Sequence, residues 1–173
     1  MVNKYKKGSR SYTMSRIKGK DTKPEWIVRR YLFARGYRYR KNVKGLPGTP
    51  DIVLKKYGVA IFIHGCFWHG HSIDGHIPHT NSDYWQKKIQ RNQERDMRDK
   101  EALKQLGWKV MTIWECQLKK EVRENTLKEM EYWINKSFLD KYRSKTYHIE
   151  ESQPSNSKVA EELVEYQSTK HSK

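Results

Sequence analysis

No stretch of this chain is long and apolar enough to cross a bilayer, which takes about 20 consecutive residues. The opening MVNKYKKGSR lacks the apolar segment of a secretory signal. A soluble intracellular protein with no membrane partner is therefore expected. Cysteine is scarce too. Cys66 and Cys116 are the only two, which excludes a disulfide framework and leaves a pair that is either metal-bound or simply buried. Acidic residues are nearly missing from the first third: residues 1–49 hold fifteen Lys or Arg against Asp21 and Glu25 alone. Internal repeats are absent, and 173 residues suffice for one hydrophobic core with some tail to spare.

What the chain has in excess is positive charge. Its 36 Lys and Arg against 20 Asp and Glu give a net +16, large for this size and concentrated towards the N-terminus. Such asymmetry points to a polyanion, and nucleic acid is the expected partner. Residues 1–13 are basic, contain Gly and Ser and show no periodicity, so they read as a mobile arm.

Thr22-Lys23-Pro24-Glu25 has the form of a capping box with Pro in the first turn, and Ile27, Val28, Tyr31 and Leu32 make one apolar face of a helix ending at Gly36. Tyr37–Arg40 alternates as a strand. Leu46-Pro47-Gly48-Thr49-Pro50 is a rigid loop before the strand Asp51–Leu54, and Lys56-Tyr57-Gly58 turns into the apolar strand Val59–Ile63. A long helix, SDYWQKKIQRNQERDMRDKEALKQLG, is expected to be capped by Ser82 and to stop near Gly107. Its stripe runs Trp85, Ile89, Asn92, Asp96, Asp99 or Lys100, Leu103, Leu106. Polar groups in such a stripe are costly to bury unpaired, so Asn92 and Asp96 should face a cleft or serve a site. Trp108–Trp114 reads as another strand and Leu127, Met130 and Ile134 as the face of a last helix. The order α, β, β, β, α, β, α implies an α/β protein with a mixed sheet flanked by helices. Beyond about residue 144 the chain is Ser/Thr/Gln/Lys-rich, with a weak helical pattern at Val159–Tyr166.

Chemistry concentrates after the strand that ends in IFIHGCFWHGH, residues 61–71. An antiparallel pairing with a tight turn brings Asp51 and the 63–69 segment into one pocket. A carboxylate with neighbouring oxygens suits Mg²⁺, and a histidine that titrates near neutrality can take a proton from water during phosphodiester hydrolysis. An Asp after Pro also serves as an ordinary turn residue. Cys66, His71 and Cys116 form a second group suited to tetrahedral Zn²⁺, with Asp74, His76 and His79 as candidates for the fourth place. Phe67-Trp68 can stack on bases, or can pack in the core.

Several segments together resemble the very-short-patch repair (Vsr) DNA mismatch endonucleases: Met14-Ser15-Arg16-Ile17, the Thr22–Arg29 helix start, LPGTPD at 46–51, HGCFWH at 64–69, RNQERD at 91–96, and Leu106-Gly107-Trp108 through Trp114-Glu115-Cys116. They fall in family order across roughly residues 14–136. The resemblance implies a restriction-endonuclease-like fold of the PD-(D/E)-x-K superfamily with a structural zinc site, in an endonuclease domain of residues 14–138 between the basic arm 1–13 and an extension 139–173. The implied activity is a Mg²⁺-dependent nick in one strand, 5′ of the thymine in a T:G mismatch left by 5-methylcytosine deamination. Implied roles are Asp51 and the Ile63 main-chain carbonyl for Mg²⁺, His69 as general base, Glu25 as the carboxylate orienting His69, and His64 and Asp96 in support. Phe67, Trp68 and Trp85 are implied as a wedge in the DNA, with Met14 and Arg16 also contacting it. The implied zinc ligands are Cys66, His71 and Cys116. Ile73 occupies the place of a further cysteine, so His76 is expected as the fourth ligand, with Asp74 second. Ile63 also replaces a threonine, but a carbonyl ligand does not depend on the side chain. The expected setting is the bacterial cytoplasm, as a monomer, paired functionally with a cytosine-5 methyltransferase and repair proteins. A restriction endonuclease of the same fold and a non-catalytic zinc-stabilised DNA-binding module are the alternatives.

Overall fold

The computed structural model describes Tyr12, Arg16 and residues 19–147. The arm 1–13 (Tyr12 apart), Met14 and the pattern at Val159–Tyr166 therefore lie outside the described residues. The chain divides into Met1–Phe138 and Leu139–Lys173. Among the described residues no helix is long and apolar enough to cross a membrane.

Four strands form one sheet in the order β1 (Arg40–Lys41), β2 (Ile52–Leu54), β3 (Val59–His64), β4 (Lys109–Trp114). The first two pairings are antiparallel and β3 pairs with β4 in parallel. Helix α1 spans Lys23–Ala34, α2 spans Ser82–Gln105 and α3 spans Arg123–Tyr147. The expected order of elements and the mixed sheet are both present, and α2 supplies the crossover that a parallel pair requires.

Local chemistry explains the boundaries. The β2–β3 connection is a short 3-10 turn, Lys55–Tyr57, closed by Gly58 at φ +66°. The strand expected at Tyr37–Arg40 is only Arg40–Lys41, because Tyr37 turns inward as a core residue at 6% exposure. Helix α2 is preceded by Asn81 in the left-handed conformation, which Asn tolerates, so Ser82 is the first helical residue and not the cap. Leu106 leaves the predicted stripe: it follows the last helical residue and is 61% exposed.

The two-residue period of β3 sorts its side chains to opposite faces. Val59 and Ile61 join Val28 and Leu32 of α1 and Leu127, Met130 and Ile134 of α3 in the main core. Ala60 and Phe62 pack with Leu103 of α2 on the other face. His64, two residues beyond Phe62, therefore continues towards α2, at the end of the sheet where β3 finishes and β2 begins.

Candidate active site

A cleft of about 650 Å³ lies at that end of the sheet, lined among others by Glu25, Asp51, Ile63, His64, Trp68, His69, Asp96 and Lys100. Asp51 precedes β2, and its Oδ2 accepts the Ile63 N–H at 2.7 Å. Burial pushes its carboxyl up to about 6, further raised by Glu25 and opposed by the Ile63 amide. The expected meeting of Asp51 with the 63–69 segment is thus present. Half-buried carboxylates held this way fit a hard cation, which would restore the charge that burial disfavours.

His64 and His69 stack with ring centroids 3.8 Å apart. His69 Nδ1 is hydrogen-bonded to Asp96 Oδ2, and His64 Nδ1 lies 3.8 Å from the same oxygen. Burial, followed by the His69 charge, pushes the His64 imidazole down to about 3. Burial alone would raise the Asp96 carboxyl, but the His69 hydrogen bond and the charges of His69, His64 and Lys100 hold it below the usual range. With Nδ1 held by Asp96, the other ring nitrogen of His69, Nε2, is the one left to exchange a proton with a ligand in the cleft.

Glu25 takes the capping position that the Thr22-x-x-Glu25 pattern gives it, not the place beside His69. Its Oε1 accepts the Thr22 N–H at 3.1 Å and the Thr22 hydroxyl at 2.8 Å, while Oε2 accepts the Asp21 N–H at 3.2 Å and pairs with Arg29 at 2.6 Å. The side chain folds back to cap α1, although it still lines the cleft. The carboxylate bonded to His69 is Asp96.

Helix α2 anchors the loop that follows β3. Asn92 Nδ2 donates to the Trp68 carbonyl at 2.9 Å, and Gln93 Nε2 to those of Gly70 and His69 at 3.1 and 3.4 Å. Asn92 and Asp96 thus serve a site, as their position in the stripe demanded. The role of Gln93 was not visible in the sequence, since it lies one residue off the stripe. Phe67, Trp68 and Trp85 pack edge to face, with centroids 4.9 to 5.9 Å apart, and Lys88 Nζ lies 5.7 Å from the Trp68 and Trp85 rings. Phe67 and Trp68 remain half-exposed, while Trp85 is 6% exposed.

A second group joins Cys66, His71, Asp74 and Cys116, whose ligand atoms all lie within 4.8 Å of one another. His76 is not in it. Asp74, the second expectation, is there instead: the turn that returns the Gly75 N–H to the His71 carbonyl at 2.8 Å leaves the Asp74 carboxylate exposed but 4.0 Å from His71 Nδ1. His76 and Ile73 face solvent. Burial pushes the Cys116 thiol up to about 12, helped by Asp74 and Cys66. Two thiols and a carboxylate gathered this closely repel as anions, so the donor set fits a soft or borderline cation such as Zn²⁺.

Comparison with known proteins places these residues in context. Residues 2–75 match the family model described as DNA mismatch endonuclease Vsr. The chain is 51% identical over 120 residues to the type II nicking enzyme V.NmeAIP of Neisseria meningitidis serogroup A, covering 69% of this chain and 86% of that protein. It is 44% identical over 119 residues to V.XorIIP of Xanthomonas oryzae pv. oryzae, covering 68% and 88%. It is 38% identical over 138 residues to the DNA mismatch endonuclease Vsr of Escherichia coli K12, covering 78% and 88%.

Proposed function

The chain belongs to the Vsr family of DNA mismatch endonucleases, and from that premise we propose that it nicks one strand of DNA 5′ of the thymine in a T:G mismatch produced by 5-methylcytosine deamination. The observation that carries this reading is the juxtaposition of Asp51, His69 and Asp96 in one cleft, next to a half-exposed aromatic cluster.

Asp51 and the Ile63 carbonyl would hold Mg²⁺, which would supply charge to stabilise the phosphoryl and leaving oxygens. The protein's own groups do the rest. Asp96 fixes the orientation of His69 and stabilises it when protonated; Nε2 accepts the proton of the attacking water. His64, neutral and stacked on His69, keeps one face of that ring from water. Glu25 acts by fixing the start of α1, whose N-terminal residues line the cleft. Phe67, Trp68 and Trp85 wedge into the stack beside the mismatch, with Met14 and Arg16 of the N-terminal segment on the same duplex. Opening a base step costs a few kcal/mol and is cheapest where pairing is already poor, so part of the mismatch preference is deformability. Zn²⁺ on Cys66, His71, Asp74 and Cys116 would pin the wedge loop to the end of β4 and stiffen it.

The test is a nicking assay on T:G, T:A and C:G duplexes with varied flanks. A Mg²⁺-dependent single-strand cut confined to T:G is expected. A double-strand cut in fully paired DNA would identify a restriction enzyme, and binding without cleavage a non-catalytic module.

A further inference from the structure

A second depression, of about 790 Å³, lies between α1 and β1. Lys20 and Asn42 line the first cleft while their chain neighbours Asp21 and Lys41 line this one, so the two are bounded by the same two segments. Trp26 and Phe33, seven residues apart and hence on one face of α1, stand in water at 58% and 66% exposure. Arg30 shares that face, and the Arg38 guanidinium lies 6.0 Å from the centre of the Phe33 ring. Among the described lining residues Asp21 is the one acid, and it is already matched by Arg29 at 2.5 Å and Lys41 at 3.3 Å.

Large rings left in water beside guanidinium groups contribute nothing to the core. They suit a ligand with flat faces and negative charge: bases stack on the rings while phosphates meet the cations. A paired duplex offers only its phosphates to such a surface and would leave the rings unused. We propose that this depression is a subsite for an unpaired stretch of DNA, the strand end that can fray from its complement once the neighbouring cleft has nicked it. The nicking reading supplies the source of that strand; the recognition chemistry stands without it.

The probe is a labelled oligothymidylate of about ten nucleotides, titrated against the full chain without Mg²⁺ and followed by fluorescence anisotropy. The double variant Trp26→Ala with Phe33→Ala should bind it about tenfold more weakly, and Arg38→Ala should both weaken binding and flatten its salt dependence. Single-turnover nicking of a T:G duplex should stay within about twofold for these variants, since neither ring lines the catalytic cleft. The conservative pair Trp26→Phe with Phe33→Tyr keeps both rings and should retain binding, which guards against a folding artefact. Undiminished oligothymidylate affinity in the double variant would overturn the proposal. So would an equal loss on fully paired duplex, which would make the surface a general duplex contact, or a loss of self-association with oligothymidylate binding intact, which would make it an interface between copies. If the chain binds oligothymidylate through these rings but never nicks, the subsite stands and the catalytic reading fails.

Discussion

His64 and His69 lie ring on ring, 3.8 Å apart with planes 14° from parallel, and two imidazolium ions cannot share that stack. Their coupling has a consequence for stability. Burial holds His64 at about 3 against an ordinary value of 6.5, so the unfolded chain takes up a proton that the folded chain refuses. Stability therefore falls below pH 6.5, by about 2 kcal/mol at pH 5. Asp51 works the other way: raised from 3.8 to about 6, its folded carboxyl binds a proton that the unfolded one does not, which returns about 1 kcal/mol at pH 5. Urea midpoints at pH 7 and 5 without added metal should show Asp51→Asn losing more stability in acid than the parent, and His64→Gln gaining it. Identical pH slopes in all three would contradict this account.

Asp96 should be a positioning residue for His69. Asp96→Asn preserves shape but favours the wrong tautomer, and single-turnover nicking should fall about a hundredfold while mismatch binding holds within about twofold. The pH profile should also change, since His69⁺ loses its counter-charge. A rate within about threefold of the parent would move the orienting role elsewhere.

Gly70 should tolerate no side chain. Its φ is +61°, and a methyl there would lie 2.5 Å from Gln93 Nε2 and 2.6 Å from Ile89 Cγ2. Gly70→Ala should cost about 2 kcal/mol and slow nicking, because the loop bearing His69 must move off Asn92 and Gln93. Unchanged urea midpoint and rate would show that the loop is held by other contacts.

Much of the fold was legible because its periodicities are strong: the apolar run Val59–Ile63 is a central strand, and Trp85, Ile89 and Leu103 are buried on α2. The polar interruptions of that stripe announced a contact rather than core packing, with Asn92 and Asp96 both turned to the loop that follows β3. Spacing could not decide between Asp74 and His76, since both follow His71 within five residues and only the turn closed by Gly75 sets which one lies beside His71 and the cysteines. Nor could it settle Glu25, whose capping geometry and charge pairing with Arg29 depend on how Asp21 and Thr22 fold back. Tyr37 misled as a strand residue because a single inward tyrosine looks the same in a strand and in a loop.

The metal group yields a direct comparison of ligands. Protein purified without a polyhistidine tag should contain about one equivalent of Zn²⁺. His76→Ala should retain it and Asp74→Ala should lose most of it, with a lower thermal midpoint. Retention in Asp74→Ala with loss in His76→Ala would reverse the assignment, and only trace zinc in the parent would make Cys66 and Cys116 buried thiols.

The central claim is that Asp51 and His69 perform the chemistry while other residues bind the DNA. Single-turnover nicking of an end-labelled T:G duplex, measured for Asp51→Ala and His69→Ala at saturating protein, tests it most directly. Losses of about a thousandfold or more with mismatch affinity retained within about threefold are predicted; a rate near that of the parent in either variant would contradict the account.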